Sequence, residues 1–519
     1  MNFSKISDKD YVFVFFGLLI IALIPFALCS PLPLSDYPNH MARMHILANL
    51  GNSADLARYY ALDWSFVPNL AMDVLVPPLI PYMSAESATL LFTAFTLFLM
   101  ASGAVILHRV LYGRLNLVPF AVFLLLYNRQ FIWGFLNYLF SVGLALWIFA
   151  AHVYFRDRMN AVARVLMFSV FSVILLVSHL HAFASYGILV ACYEISIAWR
   201  SYKKSGNFHA GALLLPAVQF VIPIVMFFAL SRTAERAGDT RFGGLGNKVS
   251  GLLDIFNNYS VTFDIASFLL VGALLAVAFR TKQARIHPDM QLSLAVLFTL
   301  YIVLPSVLFS SYGADRRLLV MVALVLLASL DVQLKSMRVA RNVTVAIGLL
   351  FVVRMGIICD QWIKDQRIYS SVLASMDKID EGSKVAVVVG GEIIPSLQNP
   401  PMDHLGNMAV VKKNVYINSL FMEPGQQVLR LKSPPSKKFS ISPSQTYRVY
   451  AHQTGSQDPF PKIPIDKFDY LLMINPKYFV PERPPQLELI FQRENVSLYR
   501  HADKKGDAAR SSVATDGRH

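Results

Sequence analysis

The chain has 519 residues, of which 55% are hydrophobic and only 15% charged, with a mean hydropathy of +0.48. A soluble domain carries about 25% charged residues, so this composition excludes a soluble globular protein. The net charge of +14 does not point to nucleic acid, because much of the excess lies in short loops between apolar runs, where membrane topology and anionic lipid account for it.

The apolar runs are roughly 17–25 residues long, enough to cross about 30 Å of hydrocarbon. The first span is 11–29, with Lys5 and Lys9 before it and Pro31 and Pro33 ending it. No small-x-small cleavage site follows, so it reads as a retained anchor rather than a signal peptide. A polar loop follows, then a proline-broken apolar stretch at 68–84, expected to lie in the interface or re-enter. Further spans fall at about 86–108, 115–127, 131–155, 163–178, 182–199, 211–230, 264–280, 291–310, 317–334 and 341–359. The basic loops 109–116, 156–164, 200–209, 280–288 and 335–341 alternate with the others, which places all five in the cytoplasm by the positive-inside rule. With eleven spans the N-terminus is inside, and the first loop (30–85) and the C-terminal region are outside.

From about residue 382 the composition changes. Lys384–Val389, Phe468–Ile474 and Leu487–Arg500 read as strands, separated by proline-rich stretches at 433–444 and 458–464. The expected fold is therefore mainly α: a polytopic membrane helix bundle of about 11 spans (1–360), a small extracytoplasmic α/β domain (361–502) and a disordered tail (503–519). Gly390-Gly391 follows a strand but forms no GxGxxG, so no nucleotide site is assigned there. The three cysteines form no CxxC, and only Cys29 and Cys359 sit where a disulfide could form in an oxidising compartment.

The unusual polar residues collect on the outer side. The first outer loop carries Ser35-Asp36-Tyr37-Pro38-Asn39-His40-Met41-Ala42-Arg43. A carboxylate at the water–lipid boundary, with apolar walls, can serve as a general base of tuned pKa. Asp36 equally well caps the helix that Pro38 begins, with His40 and Arg43 as solvated neighbours on one face. The loop 231–262 holds Arg232, Glu235, Arg236, Asp239, Arg241 and Lys248 among the glycines 243, 244 and 246, and arginines can grip a phosphate through paired hydrogen bonds. Asp315-Arg316-Arg317 places two arginines on the side where the positive-inside rule disfavours them, which suggests phosphate binding, or else anchoring to headgroups. Spans 3 and 5 stop early under Asn128-Arg129 and His179/His181, as helices do beside a polar cavity. Trp133, Asn137 and Tyr138, near the outer end of span 4, could stack on and hydrogen-bond a sugar, and an interfacial aromatic belt explains Trp133 and Tyr138 equally well. Asp403, His404, Asn407 and Glu423 are polar candidates for holding an acceptor, with no spacing that singles them out.

This layout resembles the GT-C superfamily of membrane glycosyltransferases. The resemblance rests on an acidic residue in the first external loop directly after the first span, a short amphipathic helix following it, about eleven spans, and a soluble C-terminal domain. It implies a polyprenyl-phosphate sugar as donor and Asp36 in the place of the catalytic acid. Many members carry an Asp-Glu pair there, whereas here Tyr37 follows Asp36. The implied reaction moves a sugar from the lipid-linked donor to a polysaccharide, lipid or protein acceptor. Arg316 and Arg317, with Arg232, Arg236 and Arg241, would hold the departing phosphate, and His40, Arg43, Asn128, Arg129, Asn137, His179, His181 and Asp315 would line the cavity. No cofactor is required, and the sequence offers no strong metal-ligand set, although a divalent metal is compatible. The expected location is a bacterial inner membrane with the C-terminal domain in the periplasm. The alternatives are a transporter or flippase of a lipid-linked or anionic substrate, disfavoured by midspan regions nearly devoid of charge, and a structural subunit that presents the C-terminal domain.

Overall fold

The computed structural model describes residues 8–207, 211–231, 240–308, 311–334, 336–391, 402–422, 425–432, 447–450, 463–475 and 486–504. The chain divides into two compact units. The first comprises 1–27, 65–74 and 91–361, and the second 28–64, 75–90 and 362–519.

In the first unit the apolar runs become helices. Eight helices of the chain's described residues are long and apolar enough to cross a membrane: Asp8–Ala27, Ala85–Tyr112, Leu136–Phe155, Ala161–Ser178, Leu180–Ser205, Leu213–Leu230, Val261–Arg280 and Met337–Met376. The remaining three of the eleven expected runs are shorter: Val118–Trp133, Pro288–Val303 and Ala314–Ser329. Phe13, Phe228 and Leu269 stand exposed on the long helices, as side chains facing lipid do.

Local chemistry sets the helix ends. Asn160 and Ser260 accept hydrogen bonds from Ala163 N and Phe263 N and so cap the helices that follow them. Gly206, at φ +71°, closes the 180–205 helix after Lys203 and Lys204. The 213–230 run is interrupted between Gly211–Val218 and Val221–Leu230. Pro216 cannot donate to the helical ladder, and Gln219 Nε2 instead donates to the Pro216 carbonyl at 2.6 Å. Tyr186 Oη then donates to Gln219 Oε1 at 2.7 Å, so the break is satisfied by protein rather than lipid.

Close helix packing depends on small residues. A Cβ on Gly143 would stand 2.7 Å from the backbone of Leu99, and one on Gly103 would stand 2.9 Å from Leu146 Cβ. Gly143→Val is therefore expected to destabilise the protein by about 1–3 kcal/mol through overpacking. A thermal melt in detergent checks this, and an unchanged midpoint would refute the close-packing argument.

The basic loops are not left wholly to lipid. Asp331, buried on the strand Leu330–Val332, binds both Arg114 (2.7 Å) and Arg285 (2.9 Å), and that strand pairs antiparallel with Ala284–Ile286. Arg200 reaches Asp289 at 2.6 Å and Arg156 reaches Glu194 at 3.0 Å. Arginines read from the sequence as topology markers therefore also tie one loop to the next.

The second unit is a mixed sheet with short helices. The strand order is Leu487–Arg493, Val496–His501, Tyr470–Ile474, Lys384–Gly391 and Tyr416–Ile417, with Tyr447–Tyr450 beside the end of Lys384–Gly391. The first two pairings are antiparallel and the rest parallel. Tyr470–Ile474 is buried along its whole length, which fits its continuous apolar run at the centre of the sheet. Ala386, Val388, Phe468, Leu471 and Met473 form the core of one face. The first loop belongs to this unit: Tyr60–Leu62 pairs antiparallel with Leu429–Leu431, and Tyr60 Oη donates to Val415 O at 3.0 Å. That pairing carries no sequence signal, since Tyr60–Leu62 is only three residues long.

The 68–84 stretch forms a short helix, Ala71–Leu75, and a 3₁₀ turn, Pro77–Leu79. All three cysteines are free thiols. Residues 433–446, 451–462 and 505–519, and with them most of the proline-rich stretches and the tail, lie outside the described residues.

Candidate functional site

Two groups of polar side chains stand out, one in each unit. In the second unit, Asp36 occupies the N-cap position of the helix Tyr37–Asn49, and Pro38 sits in its first turn, where a missing N–H costs nothing. The helix begins through the backbone, with His40 N donating to Asp36 O at 2.9 Å. The Asp36 side chain makes no capping hydrogen bond. Its Oδ1 lies 3.4 Å from His404 Nε2, and the carboxylate side chain is 35% exposed against 16% for the histidine.

The helix is held in place from behind. Asn39 Oδ1 accepts from Phe421 N (2.7 Å) and Asn407 Nδ2 (3.3 Å), and Ser419 Oγ donates to Asn407 Oδ1 at 2.6 Å. Arg43 is buried and donates to Gln427 Oε1 at 2.8 Å. His45 Nε2 lies 2.9 Å from Asn414 Oδ1, and burial lowers its pKa below the usual imidazole value. His40 is half-buried in the first turn. Arg43 is thus a structural anchor of this helix rather than a solvated neighbour. Asp403 is buried, and Glu423 lies outside the described residues.

In the first unit, Gly313, at φ +70°, starts the helix Ala314–Ser329, whose first turn carries Asp315, Arg316 and Arg317. Asp315 and Arg316 are both buried. Asp315 Oδ2 accepts from Lys248 Nζ at 2.6 Å, and the same ammonium donates to the carbonyls of Tyr301 (2.9 Å) and Leu304 (2.6 Å). Arg316 donates to Asp254 Oδ2 at 2.8 Å, to Ser250 Oγ at 3.0 Å and to the Asn247 side chain. Gly251 makes room for this packing, since a Cβ there would meet Tyr301 Oη at 2.6 Å. Arg129 Nε is 3.9 Å from the other Asp254 oxygen, and its guanidinium lies over the Trp133 ring at 4.8 Å. Among the described residues, three cations (Arg129, Lys248, Arg316) thus gather round two carboxylates (Asp254, Asp315). Burial pushes the Asp254 carboxyl above the usual carboxylate range, against the opposing pull of Arg316 and Arg129.

Arg317 faces a different environment. It is half-buried, with its guanidinium over the rings of Phe135 (4.6 Å) and Tyr138 (5.9 Å). His179 and His181 both turn toward Tyr138, with ring centroids at 5.3 Å and 5.6 Å. His179 Nδ1 accepts from His181 N at 3.1 Å and caps the 180–205 helix, while His181 Nε2 lies 2.8 Å from the Ala314 carbonyl. Burial, then Arg317 and His181, hold the His179 imidazole well below its usual pKa.

The other sequence candidates have structural partners. Asn128 Oδ1 accepts from Phe131 N at 3.1 Å and caps Arg129–Trp133. Asn137 donates to Asn69 O (2.7 Å) and accepts from Met72 N (2.8 Å), clamping the 69–72 segment. Arg241 is exposed and bridges by its backbone to Val307. Arg232 and Arg236, with Glu235 and Asp239, lie outside the described residues. No three His, Cys, Asp or Glu side chains converge as a metal-ion group among the described residues. The sequence reading missed Asp254, which sits in an unremarkable LLDIFNN run, and the pairing of His404 with Asp36 across the length of the chain.

No family model matches this chain, and no curated protein matches it. Solved structures similar to it include two of ArnT from Cupriavidus metallidurans. The form bound to undecaprenyl phosphate has a TM-score of 0.53 at 10% identity, covering 95% of this chain and 98% of that one. The apo form has a TM-score of 0.55 at 11% identity over the same shares. At this identity the likeness concerns the fold alone: over nearly its whole length the chain has a fold similar to that of ArnT.

Proposed function

We propose that this protein is an integral-membrane glycosyltransferase that moves a sugar from a polyprenyl-phosphate donor to an acceptor, with Asp36 as general base. The observation that carries the reading is the Asp36 carboxylate, which heads a helix without capping it and stays accessible on a firmly held scaffold. The GT-C-like fold supports the reading, as does the undecaprenyl phosphate bound to one structural neighbour.

In the proposed reaction the acceptor hydroxyl loses its proton to Asp36 and attacks the anomeric carbon. The bond from that carbon to the phosphate oxygen breaks, most simply with inversion. Arg316 and Arg317 are proposed to supply positive charge for the departing phosphate. Arg232, Arg236 and Arg241 are proposed to assist. Lipid tails bring the donor in from the bilayer, and the C-terminal unit orients a polysaccharide, lipid or protein acceptor. The five basic loops favour an orientation with the N-terminus in the cytoplasm and the C-terminal unit in the periplasm of a bacterial inner membrane.

Purified protein in lipid, supplied with radiolabelled polyprenyl-phosphate sugars and candidate acceptors, is expected to release sugar from its carrier. Tight binding of the carrier without release, across several sugars and acceptors, would overturn the transferase reading in favour of a transporter of lipid-linked substrate.

A further inference from the structure

His404 is held in one orientation by two contacts of different kinds. Its Nδ1 lies 3.2 Å from the Ser419 carbonyl oxygen, and its Nε2 lies 3.4 Å from Asp36 Oδ1. A carbonyl only accepts, so Nδ1 carries the proton in that hydrogen bond. In a neutral ring Nε2 then presents a lone pair to the carboxylate. The contact becomes attractive only when one proton stands between the two groups. The Ser419 segment is itself fixed, since Ser419 Oγ donates to Asn407 Oδ1 at 2.6 Å and Asn407 Nδ2 reaches Asn39 Oδ1 at 3.3 Å. The tautomer is therefore set by the scaffold, and the pair is built to take up a single proton.

We infer that His404 is a positioning residue that receives, through Asp36, the proton lost by the acceptor. The inference rests on the reading of Asp36 as general base. As the acceptor oxygen bonds to the anomeric carbon, its O–H electron pair stays on oxygen and its proton passes to the Asp36 carboxylate. The bond between the anomeric carbon and the donor phosphate oxygen breaks, leaving its electron pair on the phosphate. The proton moves on from Asp36 to His404 Nε2, which leaves an imidazolium–carboxylate ion pair. Water takes the proton between turnovers. A lone carboxylate titrates near pH 4, too weak a base for a hydroxyl at neutral pH, whereas a pair whose protonated form is an ion pair titrates nearer the imidazole range of about 6.5.

The 37–49 helix contributes Tyr37, His40, Arg43 and His45, of which Arg43 is engaged by Gln427 and His45 by Asn414. Packed against that helix are the turn Leu405–Asn407 and Pro77–Leu79, which carry no titratable group, and the helix Met408–Lys413. In that helix Lys412 is paired with Asp377 at 2.8 Å, and Lys413 is the other cation. Asp403 adjoins His404 in sequence and is buried.

The test uses the full chain in lipid and has two arms. In the first, the pH–rate profile of sugar transfer from a polyprenyl-phosphate donor is compared in wild type and His404→Gln. Wild type should lose activity as pH falls through about 6–7, and His404→Gln should move that limb down by at least about one unit, with a maximal rate about tenfold lower. A rate loss with an unmoved acid limb would reduce His404 to a structural prop and overturn the inference. In the second arm, ¹⁵N-histidine NMR of the unliganded protein, with the His404 signal assigned by its absence in His404→Gln, follows the imidazole titration. Asp36→Asn should shift that titration to lower pH, because the carboxylate favours the imidazolium; an unshifted titration overturns the pairing. Transfer without NMR coupling leaves the transferase standing and sinks the relay. Coupling without transfer in wild type sinks the base role, and the relay with it, while the ion pair itself remains.

Discussion

Asp36→Asn is expected to lower sugar transfer by about 10²- to 10⁴-fold, the range lost when a general base is removed, while leaving carrier binding and folding intact. The substitution keeps the shape of the side chain, and the helix start does not need the charge, because it rests on Pro38 and on the bond from His40 N to Asp36 O. The same variant separates the two roles open to this residue. Asparagine caps helices as well as aspartate does, so a capping role predicts an active Asp36→Asn enzyme with unchanged stability. Release of labelled sugar and the melting temperature, measured on one preparation, decide the matter. Transfer at the wild-type rate would remove Asp36 from the chemistry.

Arg316→Met should have the largest effect on stability, about 3–5 kcal/mol, because it strands a buried acid. Asp254 then keeps only Arg129, at 3.9 Å, in place of the 2.8 Å contact from Arg316. The effect has a pH signature. Burial already holds the Asp254 carboxyl above the usual carboxylate range, and losing its nearest cation raises it further. An acid whose folded pKa exceeds its unfolded value costs stability above both values and loses that cost as pH falls through the folded pKa. The deficit of Arg316→Met should therefore narrow on acidification from neutral pH toward the carboxylate range, and replacing Asp254 by leucine in the same chain should recover part of the lost stability. Thermal melts of the single and double variants across pH check both statements. A deficit that is flat with pH and untouched by Asp254→Leu would show that Arg316 contributes by packing alone.

Much of the membrane-embedded part was legible because its signal is long. A run such as Ala85–Tyr112 declares itself by length and composition, whatever it packs against. The strands Lys384–Gly391 and Tyr470–Ile474 were visible for a similar reason, as unbroken β-branched and apolar stretches. What stayed hidden was pairing at a distance. Asp36 drew notice for its place after the first span, but nothing near it announced His404, and His404 was one of several polar residues without a distinguishing interval. Asp254 was passed over because a single acid in a loop looks solvated until the arginines around it are known. Asn128 and Asn137 looked like cavity polarity, yet they satisfy backbone groups, which is the commoner use of a buried amide. The adjacent arginines 316 and 317 were read as equivalent. Successive helical positions point about 100° apart, and the two side chains end in different surroundings.

The pairing of Tyr60–Leu62 with Leu429–Leu431, and of Arg43 with Gln427 across 384 residues, also bears on synthesis. A ribosome making about 5–20 residues per second exposes the 37–49 helix long before its packing partners exist. Through that interval the bundle helices can insert and pack while the segment bearing Asp36 waits, its buried arginine and asparagine still hydrated. The last contacts to close are then the ones that seat the proposed base.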